Sequence, residues 1–291
     1  YLGADVVLVD VDPSTLCIDV RQIELAITPS TKAIVPVHYA GLAADMPALL
    51  ELAGEHNLKV VEDAAHALPT TCSGQLIGTL QSEATVFSFY ANKTMTTGEG
   101  GMVVTRDPEI AARIKTMRLH GINRDAFDRF RSTTPAWYYE VVAPGFKYNL
   151  TDIAAAIGLA QLAKLPRFVQ RRQQLAARYR ERLAGLPLIL PPDAPPGDTH
   201  AWHLYVIRLE PSARMVRDEL IQALSDRGIG TSVHYIPLHR QPYWRDRYNL
   251  KPEMFPCSES AYQSMLSIPL FTAMSDQDQD KVIEALHEVL G

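Results

Sequence analysis

The stretch "TVFSFYANKTMTTGEGGMVVT", Thr85 to Thr105, sets two apolar, strand-like runs on either side of a single lysine, Lys93. β-Branched and aromatic residues fill both runs, which suits a pleated, half-buried surface. Between them lie Asn92, Lys93, Thr94 and Met95, followed by a Thr-Thr-Gly-Glu-Gly-Gly turn. A lone ammonium in such a loop has two readings: a solvated surface lysine, or an amine held for chemistry.

Outward from this stretch, apolar β-branched runs alternate with helical patterns through the first half of the chain, as in an α/β layer structure with a largely parallel sheet. Strands are expected at Val6 to Val9, Ala33 to Val37, Lys59 to Glu62, Thr85 to Phe89 and Met102 to Thr105. A helix capped by Asp45, with Leu49, Leu50 and Leu52 toward the core, separates the second strand from the third. Asp107 and Pro108 open another helix, and Gly121 is its expected stop. From Ile122 to Lys147 an aromatic, proline-containing stretch breaks the pattern, at a length expected of a lid or a subunit contact.

Thr151 then caps an apolar helix, and a basic helix runs from Arg167. After the proline-rich "LPPDAPPGD", Leu190 to Asp198, the character changes to a smaller α+β unit. It comprises strand "HLYVIRL", helix "MVRDELIQALSDRG", a short strand near Thr231 and a last helix "DQDKVIEALHEVL". The expected division is a large domain over residues 1–170 and a small C-terminal α+β domain over 171–291.

Composition excludes several functions. The 291 residues can bury a sizeable core, and 47% hydrophobic with 21% charged residues is ordinary for a soluble globular protein. A formal charge of -5 offers no basic footprint for nucleic acid. The three cysteines, Cys17, Cys72 and Cys257, form neither a disulfide framework nor a zinc ribbon, and they fit a reducing cytoplasm. No apolar run approaches the ~20 residues of a membrane span. The chain opens on Tyr1 and goes almost at once into the apolar run "ADVVLVDVD", so it is expected to be cut inside a domain.

The chemistry gathers at strand ends. Asp63 and His66 follow "KVVE", Ser88 lies within "VFSF", and Lys93 stands five residues beyond it. Ligands of open α/β sheets bind outside the carboxyl ends of the strands, so these side chains can converge on one crevice. A lysine desolvated there can lose its proton and attack a carbonyl, which is Schiff-base chemistry. Pyridoxal phosphate needs a lysine to hold its aldehyde, a carboxylate to keep its pyridine nitrogen protonated, and donors for its phosphate. Lys93, Asp63 and Ser88 supply one of each.

Plainer readings stand beside this one. Asp63 can cap a turn after its strand, His66 can be a hydrogen-bonded structural histidine, and Ser88 a neutral strand residue. "GEGG", Gly98 to Gly101, is no dinucleotide fingerprint, because the third glycine falls at Val103 and the run enters a strand. It reads instead as a turn allowing close backbone approach. His200, His203, His234 and His239 lack a carboxylate at ligand spacing, which argues against zinc.

Six ordered motifs, "VVEDAAHA", "FSFYANKTMTTGEGGMVVT", "RLHGINRDAFDR", "APGFKYNLTDIAAAIGLAQL", "HAWHLYVIRL" and "RGIGTSVHYIPLH", closely resemble the nucleotide-sugar aminotransferases of the DegT/DnrJ/StrS family. The resemblance runs over essentially the whole chain and is nearest to enzymes that aminate a 4-keto group on a UDP-sugar. It implies the fold of aspartate aminotransferase, fold type I, a PLP-dependent α/β transferase with a mostly parallel central sheet flanked by helices. It also implies pyridoxal 5'-phosphate as cofactor and glutamate and a nucleotide-linked keto-sugar as substrates.

By that resemblance Lys93 is both the covalent anchor of the cofactor and the acid–base catalyst, and Asp63 the partner of the pyridinium. His66 bonds the phenolate oxygen of the ring, and Ser88 the phosphate. Asn149 reaches the phosphate of the neighbouring subunit's cofactor, so a homodimer with shared sites is expected. His234, Tyr235 and His239 are expected near the sugar-nucleotide. The family's length implies a further unit upstream of Tyr1, supplying phosphate donors and an aromatic stacked on the ring. Two rivals differ in consequence: a sugar 3-dehydratase of the same fold, in which a histidine replaces the lysine, and a catalytically silent fragment keeping the dimer surface.

Overall fold

A computed structural model describes residues 2–123 and 137–291. Its first half begins with α1 (Val20–Ala26), capped by the Asp19 carboxylate on the Arg21 amide. Then follow β1 (Ala33–Ile34), α2 (Met46–Glu55), β2 (Lys59–Asp63), the hairpin β3 (Thr71–Cys72) and β4 (Gln75–Leu76), β5 (Ala84–Ser88), β6 (Gly101–Val104) and α3 (Pro108–Met117). The main sheet has the order β1-β2-β5-β6. The β1–β2 and β2–β5 pairs are parallel and β5–β6 is antiparallel. In its central strands Val60, Ala84 and Phe87 are core residues, while Val86 is 39% exposed.

Local chemistry sets these elements. The Asp45 carboxylate accepts from the Ala48 amide at the start of α2, while Leu49 and Leu52 are buried and Leu50 only partly so. Asp107 accepts from the Glu109 and Ile110 amides with Pro108 in the first turn of α3. That helix stops at Met117, before Gly121, which takes φ +71° in the turn beyond. The glycine turn after Lys93 serves close approach: a Cβ on Gly101 would stand 2.7 Å from the Phe87 carbonyl oxygen across the β5–β6 pair.

Two strand expectations are corrected. Residues 6–9 form no strand, because no neighbouring strand pairs with them, and Val6 and Val7 are 39% and 69% exposed. Near Thr231 there is only an isolated bridge between Ser232 and Ser267. Half of the stretch expected as a lid or subunit contact, Ile122 to Lys147, lies outside the described residues.

The second half contains α4 (Asp152–Leu162), α5 (Leu165–Arg182), β7 (Leu188–Ile189), β8 (Tyr205–Leu209), α6 (Arg217–Ser225), α7 (Pro242–Tyr248), α8 (Pro256–Ser264), β9 (Met265–Ile268) and α9 (Asp276–Leu290). Thr151 caps α4 through the Ala154 amide, and Ser275 with Asp278 forms a capping box on α9. An antiparallel sheet β7-β8-β9 packs against α5, α6 and α9 around Leu175, Tyr179, Leu220, Leu266 and Ile283. A separate core lies under the first sheet. The long helix α5 enters both: Leu165 and Val169 pack in the first core, and Leu175, Ala176 and Tyr179 in the second.

One buried carboxylate ties the first sheet together. Glu62 on β2 is fully buried and accepts from Thr85 Oγ1 on β5 at 2.7 Å and from the Ser82 hydroxyl. It also pairs with His38 Nε2 at 2.9 Å. Because the Ala44 amide donates to His38 Nδ1, Nε2 carries the proton and donates to Glu62. Burial pushes the Glu62 carboxyl up, but the bonds from His38, Ser82 and Thr85 outweigh it, so the pKa lies below the usual range. Glu62→Ala would strand three buried donors. Its expected cost is about 3 kcal/mol, read as a fall in the urea midpoint with little change of slope. An unchanged midpoint would contradict this role.

Candidate active site

Lys93 sits in a loop whose ends are tied together beneath it. The Phe89 amide donates to the Gly100 carbonyl at 2.8 Å, and the Thr97 amide donates back to the Phe89 carbonyl at 2.9 Å. The Thr96 hydroxyl also bonds that carbonyl and accepts from the Gly98 amide. Thr94, Met95 and Thr97 are buried, so the loop is packed from below while Lys93 is half-buried at the rim. Burial lowers the pKa of its amine, and the Asp63 carboxylate partly opposes that fall.

Asp63 ends β2, paired in register with Val86 of β5, and its carboxylate accepts from the Ala65 amide at 3.0 Å. The chain then turns His66 into the same crevice. This ring is buried with Nδ1 unpartnered, and burial followed by the nearby Lys93 and His234 pushes it down to about 3. It packs on His203 with centroids 4.4 Å apart and lies near Tyr235 at 6.3 Å. His234, also held below its ordinary value by burial and Lys93, bonds Ser267 Oγ through Nδ1 at 2.8 Å. The Asp63 charge, after burial, raises the Tyr235 phenol.

Lys93, Asp63, His66, His234 and Tyr235 therefore share one polar crevice beyond the carboxyl ends of β2 and β5. Ser88 is at the last position of β5, opposite Gly101, and its Oγ accepts from the Tyr90 amide. Asn149 stands before α4, where its side-chain oxygen accepts from Lys147, and it makes no hydrogen bond to this cluster.

His239 is the exception among the expected site residues. It is buried, stacks on Phe255 at 4.9 Å, and its Nε2 is paired with Glu259 at 3.0 Å. Those contacts engage the ring in packing, away from the Lys93 cluster, with which it shares no contact among the described residues.

His203 was visible in the sequence only as one of four scattered histidines. The fold makes it part of the crevice wall, pressed on His66, with both ring nitrogens buried and unpartnered. Burial first, then His66 and Lys93, push it to about 2. No local pattern announces that contact, since His66 and His203 are distant in sequence. His200 is elsewhere: it lies flat on Trp202 at 3.8 Å and accepts from the Trp202 amide.

A lysine of lowered pKa beside a carboxylate and neutral histidines is a carbonyl-binding arrangement. The profile of the DegT/DnrJ/EryC1/StrS aminotransferase family matches residues 1–287. The chain belongs to that family.

Among its relatives, the chain is 45% identical over 292 aligned residues to the spore coat polysaccharide biosynthesis protein SpsC of Bacillus subtilis (strain 168), covering all of this chain and 75% of SpsC. Among solved family structures, Spr1654 of Streptococcus pneumoniae in its PMP form, described as a sugar aminotransferase, superposes with a TM-score of 0.91 at 31% identity. That match covers 99% of this chain and 76% of Spr1654. DesV of S. venezuelae, in complex with a ketimine intermediate, gives 0.84 at 37% identity over 97% of this chain and 71% of DesV.

The residues present fit the cofactor of this family, pyridoxal phosphate. Lys93 supplies an amine of lowered pKa, Asp63 a carboxylate at the strand end, His66 a neutral ring with Nδ1 unpartnered at the crevice, and Ser88 a hydroxyl at the last position of β5. The electrostatics are open to test in cofactor-free protein. Burial lowers the Lys93 pKa while Asp63 raises it, so Asp63→Asn is expected to lower it further. Competitive acetylation of Lys93 against pH would then show a midpoint below that of an ordinary lysine, moving to lower pH in the variant. A midpoint moving upward would contradict the pairing.

Proposed function

We propose that this chain catalyses pyridoxal-phosphate-dependent transfer of an amino group from glutamate to the C4 keto group of a nucleotide-linked sugar, for cell-surface polysaccharide or lipid A sugar synthesis. The observation that carries the reading is the half-buried, low-pKa Lys93 facing Asp63 at the carboxyl ends of adjacent parallel strands. The names of SpsC and Spr1654 support the sugar and the polysaccharide setting.

Pyridoxal phosphate, when bound, supplies an aldehyde and a ring able to draw electrons from the bond being broken. Lys93 then has two tasks. Its amine would hold the aldehyde of the group, and as a free amine it would serve as the base and acid that moves a proton at the donor's α-carbon. Asp63 holds the proton on the pyridine nitrogen, which keeps the ring an effective acceptor. His66 is neutral at pH 7 and donates to the phenolate oxygen, while Ser88 binds the phosphate. His234 and Tyr235 line the side from which the sugar approaches.

In this reading residues 1–170 are the cofactor-binding domain and 171–291 the small domain, with the long helix α5 joining them. A second copy completes the site through Asn149. Helix α4, which follows Asn149, has no buried residue and leaves Ile153 78% and Leu159 71% exposed, which supports a covering partner. All three cysteines are free thiols, in keeping with a cytoplasmic reaction. Among the described residues no helix is long and apolar enough to cross a membrane.

The test is turnover with glutamate and a UDP-4-keto-sugar, following 2-oxoglutarate and the amino-sugar together. Wild type is expected to form both in equal amounts, and Lys93→Ala neither above background. Retained transfer in Lys93→Ala, or a deoxygenated sugar without nitrogen, would overturn the reading.

A further inference from the structure

Beside the crevice lies a cavity of about 130 Å³ lined by His203, Thr231, Ser232, His234, Ser267 and Leu270 among others. Two of its wall residues, His203 and His234, feel the Lys93 charge, as His66 does. At roughly 30 Å³ per water this space holds a carboxylate with its adjoining carbon. It is far below the several hundred Å³ of a site for a sugar-nucleotide.

The lining is rich in donors and contains no acid. Thr231, Ser232 and Ser267 carry hydroxyls, and His203 is 4% exposed with Nδ1 and Nε2 both lacking a partner. A buried imidazole with two idle nitrogens calls for a polar occupant. Behind the wall stands Arg172, buried on α5, whose Nη1 donates to the carbonyls of Trp202 at 2.8 Å, His203 at 3.3 Å and Leu270 at 3.2 Å. No carboxylate pairs with it among the described residues. Burial alone moves its pKa, down to about 10, so it remains charged at neutral pH. A buried, uncompensated positive charge one carbonyl removed from the cavity selects an anion over a neutral or cationic occupant.

We infer that this cavity is the subsite for a carboxylate of the amino donor, with Ser232, Thr231 and His203 as its donors and Arg172 as the charge behind it. The inference rests on the transaminase reading and extends it to how the donor is held. An α-amino acid anchored there keeps its amino group toward Lys93, whereas the sugar uses the remaining space.

Calorimetry on cofactor-loaded protein would use glutarate, a dicarboxylate without an amine, against its uncharged diamide, glutaramide. Glutarate is expected to bind and glutaramide not to. The double variant Thr231→Val/Ser232→Ala is expected to weaken glutarate about tenfold and raise the KM for glutamate similarly, with the visible band of the Lys93-bound cofactor retained. Glutarate that fails to bind wild type, or binds the variant equally, overturns the subsite while leaving the transaminase reading intact. Absence of the lysine-bound band in wild type overturns both. His203→Phe is the second variant: loss of glutarate binding with the band retained is expected, and unchanged binding removes His203 from the subsite.

Discussion

The parallel pairing of β2 with β5 is the constraint on which the rest depends. Its register puts Asp63 opposite Val86, so the carboxylate leaves the sheet on the same rim as the loop that begins after Ser88 and carries Lys93. A slip by one residue would turn Asp63 to the other face and bury the wrong side chains. Glu62, one position earlier, guards the register from inside, because its bonds to Thr85, Ser82 and His38 can all form only in this alignment. Glu62 is fully buried and spends its carboxylate on these bonds, whereas its neighbour Asp63 is only partly buried and lies at the crevice.

Electrostatically the crevice lowers the pKa of one amine without leaving it isolated. Burial works on Lys93, His66, His203 and His234 alike, and each falls below its ordinary value. Neutral imidazoles can donate and accept hydrogen bonds without adding positive charge beside the lysine. Burial sets the fall of the amine, and among the described residues Asp63 is the charge that opposes it by favouring the ammonium. The second half of the chain contributes to this balance through His203 and His234, which is why the crevice needs both cores held together by α5.

Much of this was legible in the sequence, for physical reasons. Asp45, Asp107, Thr151 and Ser275 announce their helices because a cap is a local bargain between one side chain and two or three amides. That Lys93, Asp63 and Ser88 lie on one rim could be expected, because Asp63 and Ser88 end adjacent strands and Lys93 follows in the loop after the second. Residues 6–9 misled, since β propensity cannot say whether a neighbouring strand exists to pair with. The packing of His239 could not be told from a site role by its motif, because Glu259 and Phe255, which contact its ring, lie on another element. His203 and Arg172 were illegible as site residues: their meaning comes from tertiary contacts that no periodicity encodes.

The central claim is that Lys93 holds the cofactor covalently. Incubation of the protein with pyridoxal phosphate, reduction with borohydride and mass mapping of the peptides tests it most directly. The account predicts one pyridoxyl group, on the peptide containing Lys93, lost in Lys93→Ala and retained in Glu259→Gln. Label on another lysine with Lys93 unmodified, or no label on folded protein, would contradict it.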